Sequence, residues 1–474
     1  MAIRLFSEHV ILGQGANLRV EGALLSIAGD SIVDLQPMSR AQFAARPDAD
    51  DCLDLGQQLV GPSFLNGHTH LAMSALRGIG QQALRGNVVE DLYFQLESHL
   101  TPADVRAFVR MGAYENLLAG VGAVWDHYYH ADDIAAGLMD VGLCGVVAPT
   151  VQDVAGPGRD GTEAALESTL AIHASTRHQQ AGVYAALGPH ATDTVSPALW
   201  RRLALLADQH QLVMHAHIAQ SIEEYRRSMQ TYGCTPIAGL REAGILDLDT
   251  GLVLVHSLFV TAADIRLLHP DRHALAYCPL SQIQFAFPAH ITPWLQAGLP
   301  IQVGTDAGAC NDTMNVQQEL RVLAGGSAFA VTQGEAYRDF QASGSLGAAE
   351  AVHSQRVQTY DQTPSIHQML DMVWQTPARF CPALRMGELA IGNRACLNVW
   401  DLSHPALWPA TDPLRALVMC DAAKALRHVM LNGQWMAPLD TRLQEHVLNS
   451  ADFQAAQAEA SERLQALLRR TGLF

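Results

Sequence analysis

The sequence predicts an α/β protein: a (β/α)₈ TIM-like barrel carrying a small discontinuous β-sandwich built from both chain ends. Three observations predict it. Eight short apolar runs alternate with helix-like stretches between Leu59 and Leu384, the alternation of repeated β-α units and a parallel sheet. Polar residues cluster just after those runs, at the strand ends where such barrels carry their sites. Strand-like alternation with turn residues occupies the beginning of the chain and returns near Met386.

The runs are Ser63–Leu65, Val121–Trp125, Cys144–Pro149, Gly182–Leu187, Leu212–His215, Leu252–His256, Ala274–Cys278 and Pro300–Val303. Segments between them are long enough for helices. In two, Pro102–Ala119 and Pro197–Gln209, a Thr or Ser precedes the Pro, an N-cap followed by a residue pre-set for the first turn. Eight units favour a closed barrel over an open sheet. The polar residues that follow the runs are His68, His70, Asp126, His127, His190, His217, His256 and Asp306.

Outside the barrel the pattern is shorter. Ala23–Ile27 and Ser31–Leu35 are strand candidates split by Gly29-Asp30. Near the other end, 387–392, Leu397–Leu402, Ala416–Cys420 and His428–Leu431 read as strands, and Asn432-Gly433 is a hairpin turn signal. Residues 1–58 and 385–440 are therefore expected to form the sandwich, with 59–384 the barrel. Residues 441–474 are rich in Ala, Glu, Gln and Leu and are expected to be a helical segment packed on the barrel. Residues 325–364 fit no simple βα unit and read as an enlarged loop after the eighth strand, its role as lid, subunit contact or plain surface insertion left open, the last the ordinary choice.

Composition narrows the function classes. Of 474 residues, 49% are hydrophobic and 16% charged, enough apolar material for a large core and too much for a disordered chain. A net charge of −17 repels phosphate backbones, so nucleic acid is not an expected partner. The only lysine is Lys424. The eight cysteines form no C-x-x-C pair and read as core thiols of a reducing compartment. There is neither a signal-peptide pattern nor a run near the ~18 apolar residues that span a membrane. The expected setting is the cytoplasm, away from membranes.

The chemistry begins at Asn66-Gly67-His68-Thr69-His70. Side chains on a strand repeat every two residues, so His68 and His70 point the same way and can grip one cation. His217 follows the fifth run and Asp306 ends Gly304-Thr305-Asp306 after the eighth. Imidazoles with a carboxylate suit one divalent cation, Zn²⁺ or else Fe²⁺. Asp306 can serve both as ligand and as base toward metal-activated water. His256 is either a further ligand or a group that polarises the water. Any one of these could be an ordinary core histidine or capping aspartate; together, each at a strand end, they read as a metal site.

Pro62, Gly67-His68-Thr69-His70, Leu187-Gly188-Pro189-His190, His217, His256-Ser257, Cys278-Pro279 and Gly304-Thr305-Asp306 together resemble the amidohydrolase superfamily. The likeness is greatest to the branch holding guanine, cytosine and S-adenosylhomocysteine deaminases and atrazine chlorohydrolase. It implies metal ligands at His68, His70, His217 and Asp306, a water-orienting role for His256, and a substrate contact at His190. Glu97, His127 and Arg77 are matched more loosely to pocket positions. No lysine stands at the fourth strand, which favours a single metal ion over the binuclear arrangement. Homodimers are implied by the resemblance alone.

One position departs from the pattern. The deaminase branch has Glu three residues after the strand-five His, where it shuttles a proton to the substrate ring; here the sequence is His217-Ile218-Ala219-Gln220. An amide can orient a substrate but cannot relay a proton near neutral pH. Glu223 and Glu224 come a turn later as candidate substitutes. The expected activity is thus hydrolysis of a C–N bond in a small nitrogenous, heterocyclic compound, a deaminase or aminohydrolase with Asp306, His256 and Gln220 as its working groups. The alternative is a urea, carbamate or amide hydrolase, or a chlorohydrolase. A barrel retained only for binding rests on Gln220 alone and is opposed by the intact ligand set.

Overall fold

A computed structural model describes residues 3–79, 87–285 and 291–472. The first barrel strand is Phe64–His70, followed by Val121–Asp126, Cys144–Val147 with Thr150–Val151, and Val183–Ala185 with Gly188–Pro189. Met214–Ile218, Leu252–His256, His273–Tyr277 and Ile301–Val303 complete the set, the last continued by Asp306–Ala307. Every ladder between these strands is parallel. Bridges at Leu187 with Met214 and Ala191 with His217 join the fourth strand to the fifth. The ring closes where Asp306 and Ala307 pair with Thr69 and His70. That register sets the carboxylate of Asp306 beside the two imidazoles of the first strand.

The strands are buried on both faces, as in Val121–Asp126 and Leu252–His256, which is why they read as nearly unbroken apolar runs. The helix starts read from sequence are present. Thr101 and Asp104 form a reciprocal capping box before Pro102–Leu118, and Ser196 caps Pro197–His210, each cap contributing about 1 kcal/mol.

The two chain ends share one hydrogen-bonded sheet. Its order is Gln434–Trp435, Leu426–Leu431, Leu397–Trp400, Leu59–Pro62, Ile3–Leu12, Arg19–Ala28, Ser31–Pro37, with Leu53–Asp54 paired off Ile3–Leu12. Leu5, Val10, Leu25, Val60, Leu397 and Met430 form its core, each worth ~1.5–3 kcal/mol on full burial. Asn432 and Gly433 make a two-residue turn, both at positive φ (52° and 73°), with Leu431 opposite Gln434, as the twist of a tight hairpin requires. Leu59–Pro62 belongs to this sheet, and the chain enters the barrel at Phe64. Phe64 lies between Trp374 and Trp400, ring centroids 5.8 and 5.7 Å away, so it joins the two cores.

Three expected elements differ. Residues 387–392 are turns and bends rather than a strand. Gly387 and Gly392 both have φ of 89°, a left-handed backbone that breaks an extended strand. Ala416–Cys420 lies across the end of a helix, Pro413–Met419, which Asp412 caps by accepting from the Arg415 amide at 3.0 Å. The expected loop at 325–364 is helical: Val316–Gln333, Glu335–Ser343 and Leu346–Asp361. The last two helices bury none of their residues, and in Leu346–Asp361 the apolar residues are spread round the helix, so no helical period can be read there.

At the C-terminus, Leu443–Asn449 and Ala451–Thr471 are helices. Phe453 meets Tyr114 edge-on at 5.2 Å, and Arg463 lies 3.6 Å from Asp104, which seats the long helix on Pro102–Leu118.

Two histidines remote from the barrel mouth give an acid sensitivity. His273 is on the seventh barrel strand and His428 in the small sheet, and both are buried. Burial, then a neighbouring arginine, pushes each down to about 4. Below the ordinary imidazole value of about 6.5 the unfolded chain binds protons first. The stability these rings contribute is therefore complete above that pH and lost as pH falls toward 4. Denaturant unfolding at pH 5 is expected to show a loss on the order of 1–2 kcal/mol per ring relative to pH 7. A smaller slope in His428→Gln would assign its share.

Candidate active site

Five side chains converge at the C-terminal ends of four strands: His68 and His70 on the first, His217 on the fifth, His256 on the sixth and Asp306 on the eighth. Two overlapping trios, His68–His70–His217 and His68–His256–Asp306, each bring one donor atom per residue within 4.8 Å of the others. Asp306 Oδ1 is 3.8 Å from His68 Nε2 and 3.6 Å from His70 Nε2, and its Oδ2 is 3.8 Å from His256 Nε2.

The backbone allows this crowding through two devices. A Cβ on Gly304 would stand 2.5 Å from the His68 nitrogen and carbonyl oxygen, so only glycine lets the eighth strand lie against the first. The strand ends and the turns after them hold left-handed residues that are not glycine: Ala219 (φ 55°), His256 (66°), Ser257 (48°) and Asp306 (59°). Each costs ~1–3 kcal/mol and persists because its surroundings enforce it.

Those surroundings are hydrogen bonds that aim each ring. His70 Nδ1 donates to the His127 carbonyl, and His217 Nδ1 to the His190 carbonyl at 3.0 Å. His68 Nδ1 lies 3.1 Å from His215 Nε2, and His256 Nδ1 3.1 Å from the Gln282 side-chain amide. Asp306 accepts from the Ser281 hydroxyl and the Ala307 amide, both at 2.8 Å. Every imidazole is thus held through Nδ1, which leaves Nε2 for the centre.

The chemistry of this donor set fits a divalent cation. His68 Nε2 is buried with no hydrogen-bond partner, an unusual state for a polar atom. Burial, reinforced by the neighbouring imidazoles, holds His68 and His217 well below the ordinary histidine value; burial lowers His70 and His256 against the opposing pull of Asp306. Neutral rings present the lone pairs that metal binding needs.

A pocket of about 290 Å³ opens over the cluster. Glu97, His127, His190 and Gln220 line it, as the sequence suggested, with Tyr93, Phe94 and Tyr128 adding aromatic faces. Phe94 lies 5.7 Å from the His190 ring. Burial pushes Glu97 up to about 7, against the hydroxyls of Tyr128 and Tyr129, and takes His190 down to about 3. Arg77 is the exception. Its guanidinium pairs with Glu115 at 2.5 Å and it is absent from the pocket wall: an exposed arginine near a helix found its acidic neighbour instead. Asp126 is also outside the wall, buried beneath it and holding the Leu71 amide at 2.7 Å.

Sequence reasoning missed Ser281, Gln282 and His215. Ser281 and Gln282 follow the singled-out Cys278-Pro279, and His215 sits two residues before His217, so a signal existed in each case. Glu224, proposed as a substitute acid, does line the pocket. Its carboxylate, however, accepts from the Ala219 and Gln220 amides at 2.9 and 2.7 Å and from the Thr192 hydroxyl at 2.6 Å. Both oxygens are committed to fixing the turn that carries Gln220.

The chain is similar to known proteins over most of its length. A sequence model described as the amidohydrolase family matches residues 59–436. The chain is similar to a 5-methylthioadenosine/S-adenosylhomocysteine deaminase of Nitratidesulfovibrio vulgaris, 27% identical over 88% of this chain and 87% of that one. It is also similar in fold to an adenosine deaminase from Xanthomonas campestris with bound zinc (TM-score 0.77, 21% identity, 98% of each chain). Atrazine chlorohydrolase from Arthrobacter aurescens TC1, complexed with zinc, superposes nearly as well (TM-score 0.75, 20% identity, 98% of this chain and 100% of that one).

Proposed function

The chain belongs to the amidohydrolase family, and from that membership we propose that it is a hydrolytic deaminase of a small nitrogenous heterocycle bearing an exocyclic amine, such as an adenine nucleoside. The observation that supports this most is the convergence of His68, His70, His217, His256 and Asp306 under one pocket. His68, His70, His217 and Asp306 are the residues to hold the cation, a donor set that suits zinc or iron, and zinc is preferred because the similar adenosine deaminase and atrazine chlorohydrolase structures carry it. When bound, it supplies Lewis-acid activation that brings the pKa of water toward about 7.

The protein's own groups do the rest. Asp306 accepts the proton of the attacking water, its carboxylate fixed by Ser281 and Ala307. His256, aimed by Gln282, faces the reacting carbon's developing oxyanion and stabilises it. Phe94 and His190, their rings tilted 55° to one another, offer separate aromatic faces to the ring, and His127, Gln220 and Glu97 offer polar contacts along the wall. A cytoplasmic setting and a homodimer belong to the same reading. All eight cysteines are free, and among the described residues no helix is long and apolar enough to cross a membrane.

Gln220 favours a second reading, release of an amine, a carbamate or a halide, because such a leaving group needs no protonated ring nitrogen. One experiment separates the two. Wild type and Gln220→Glu are assayed for ammonia from a panel of adenine nucleosides and other aminated heterocycles. Under the deaminase reading wild type releases ammonia, and restoring the acid raises kcat/KM by at least ~10-fold, toward the ~10²–10⁴ of general-acid catalysis. No ammonia from either protein rejects deamination and directs the search to ureas, carbamates and halogenated rings.

A further inference from the structure

His215 shares its strand with His217, and side chains two residues apart point the same way. Its ring is fully buried. Nε2 lies 3.1 Å from His68 Nδ1, Trp125 packs against the ring in a T-shaped pair with centroids 5.4 Å apart, and Nδ1 has no hydrogen-bond partner. The His215 carbonyl accepts from His127 Nδ1 at 3.1 Å, so this residue also steadies a pocket-wall histidine.

Two ring nitrogens at 3.1 Å share one hydrogen, and where it sits decides what His68 can do. If His68 carries it on Nδ1 and donates, His68 Nε2 keeps a bare lone pair for a cation. His215 must then carry its own hydrogen on the partnerless Nδ1. If His215 donates instead, the hydrogen of a neutral His68 moves to Nε2, facing the centre and blocking it. His70 and His217 have no such choice, because each donates to a backbone carbonyl, which can only accept.

We propose that His215 is a positioning residue that fixes the ring plane and tautomer of His68 for metal binding. The inference rests on the reading that His68 is a metal ligand. A partner that orients a ligating histidine is usually a carboxylate, a carbonyl or water, and its loss commonly weakens metal affinity 10–100-fold. A neutral imidazole in that place can accept from His68 in one tautomer and donate to it in the other.

The test uses the full chain, with Zn²⁺ in competition against a chromophoric chelator. His215→Leu is expected to weaken Zn²⁺ affinity about 10–100-fold, whereas His215→Gln, which retains an acceptor, stays within about threefold of wild type. Unchanged affinity in His215→Leu overturns the proposal while leaving the metal site standing. Wild type that takes up no Zn²⁺ overturns both. Should the leucine variant fail to fold, ¹⁵N-histidine NMR of the wild type decides alone. Zn²⁺ is expected to place the hydrogens of both His68 and His215 on Nδ1; a Zn²⁺-bound spectrum with the His215 hydrogen on Nε2 refutes the assignment.

Discussion

Asp306→Asn is expected to lower kcat by about 10³-fold or more, the combined loss of a general base and of a charged metal ligand. The substitution changes little in shape. It removes the negative charge that faces the Nε2 atoms of His68, His70 and His256 at 3.6–3.8 Å, and an amide cannot take a proton from water. It also sets an NH₂ against a donor, because one carboxylate oxygen accepts from the Ser281 hydroxyl and the other from the Ala307 amide. Steady-state kinetics beside elemental analysis divides the two losses. An inactive variant that keeps about one metal per chain has lost the base; one that has also lost metal has lost the ligand. Turnover near the wild-type rate refutes the role given to Asp306.

Metal removal has the second large effect. Exhaustive chelation is expected to abolish turnover and to lower the thermal midpoint, and one equivalent of Zn²⁺ is expected to restore both. The stabilisation follows from binding to the folded state alone, about 2.7 kcal/mol when free metal stands at a hundred times its dissociation constant. In this protein the cation would also relieve a strained arrangement, since buried neutral imidazoles face one another with His68 Nε2 lacking any partner. His70→Ala should behave as the chelated protein does even with metal added. Full activity after chelation, confirmed metal-free by elemental analysis, would remove the metal from the mechanism.

Both experiments address residues that the sequence makes legible, and the reason is local. His68 and His70 are two apart at the end of an apolar run, so strand geometry alone gives them a common direction. Each remaining proposed ligand closes its own apolar run, and a barrel gathers strand ends at one mouth whatever the residues between them are. The order of strands, the helix caps at Thr101 and Ser196, and the Asn432-Gly433 turn follow likewise from near-neighbour chemistry.

The arrangement around those residues was decided by contacts between positions far apart in the chain. The hydrogen bonds that aim the rings cross 57 positions for His70 and His127, 147 for His68 and His215, and 26 for His256 and Gln282. No periodicity records such pairs. Glu224 shows the same limit at short range: its spacing suggested a spare acid, but the left-handed backbone at Ala219 turns two amides into its carboxylate. Arg77 was taken by Glu115, and 325–364 hid the helix Leu346–Asp361 because its apolar residues are spread round it and leave no stripe. By itself the sequence determined the barrel, the candidate metal ligands and their common mouth, since these depend on strand period and run order. The tertiary structure decided which nitrogen of each ring faces the centre and which acids remain free to act, because those depend on partners that only folding brings within hydrogen-bond reach.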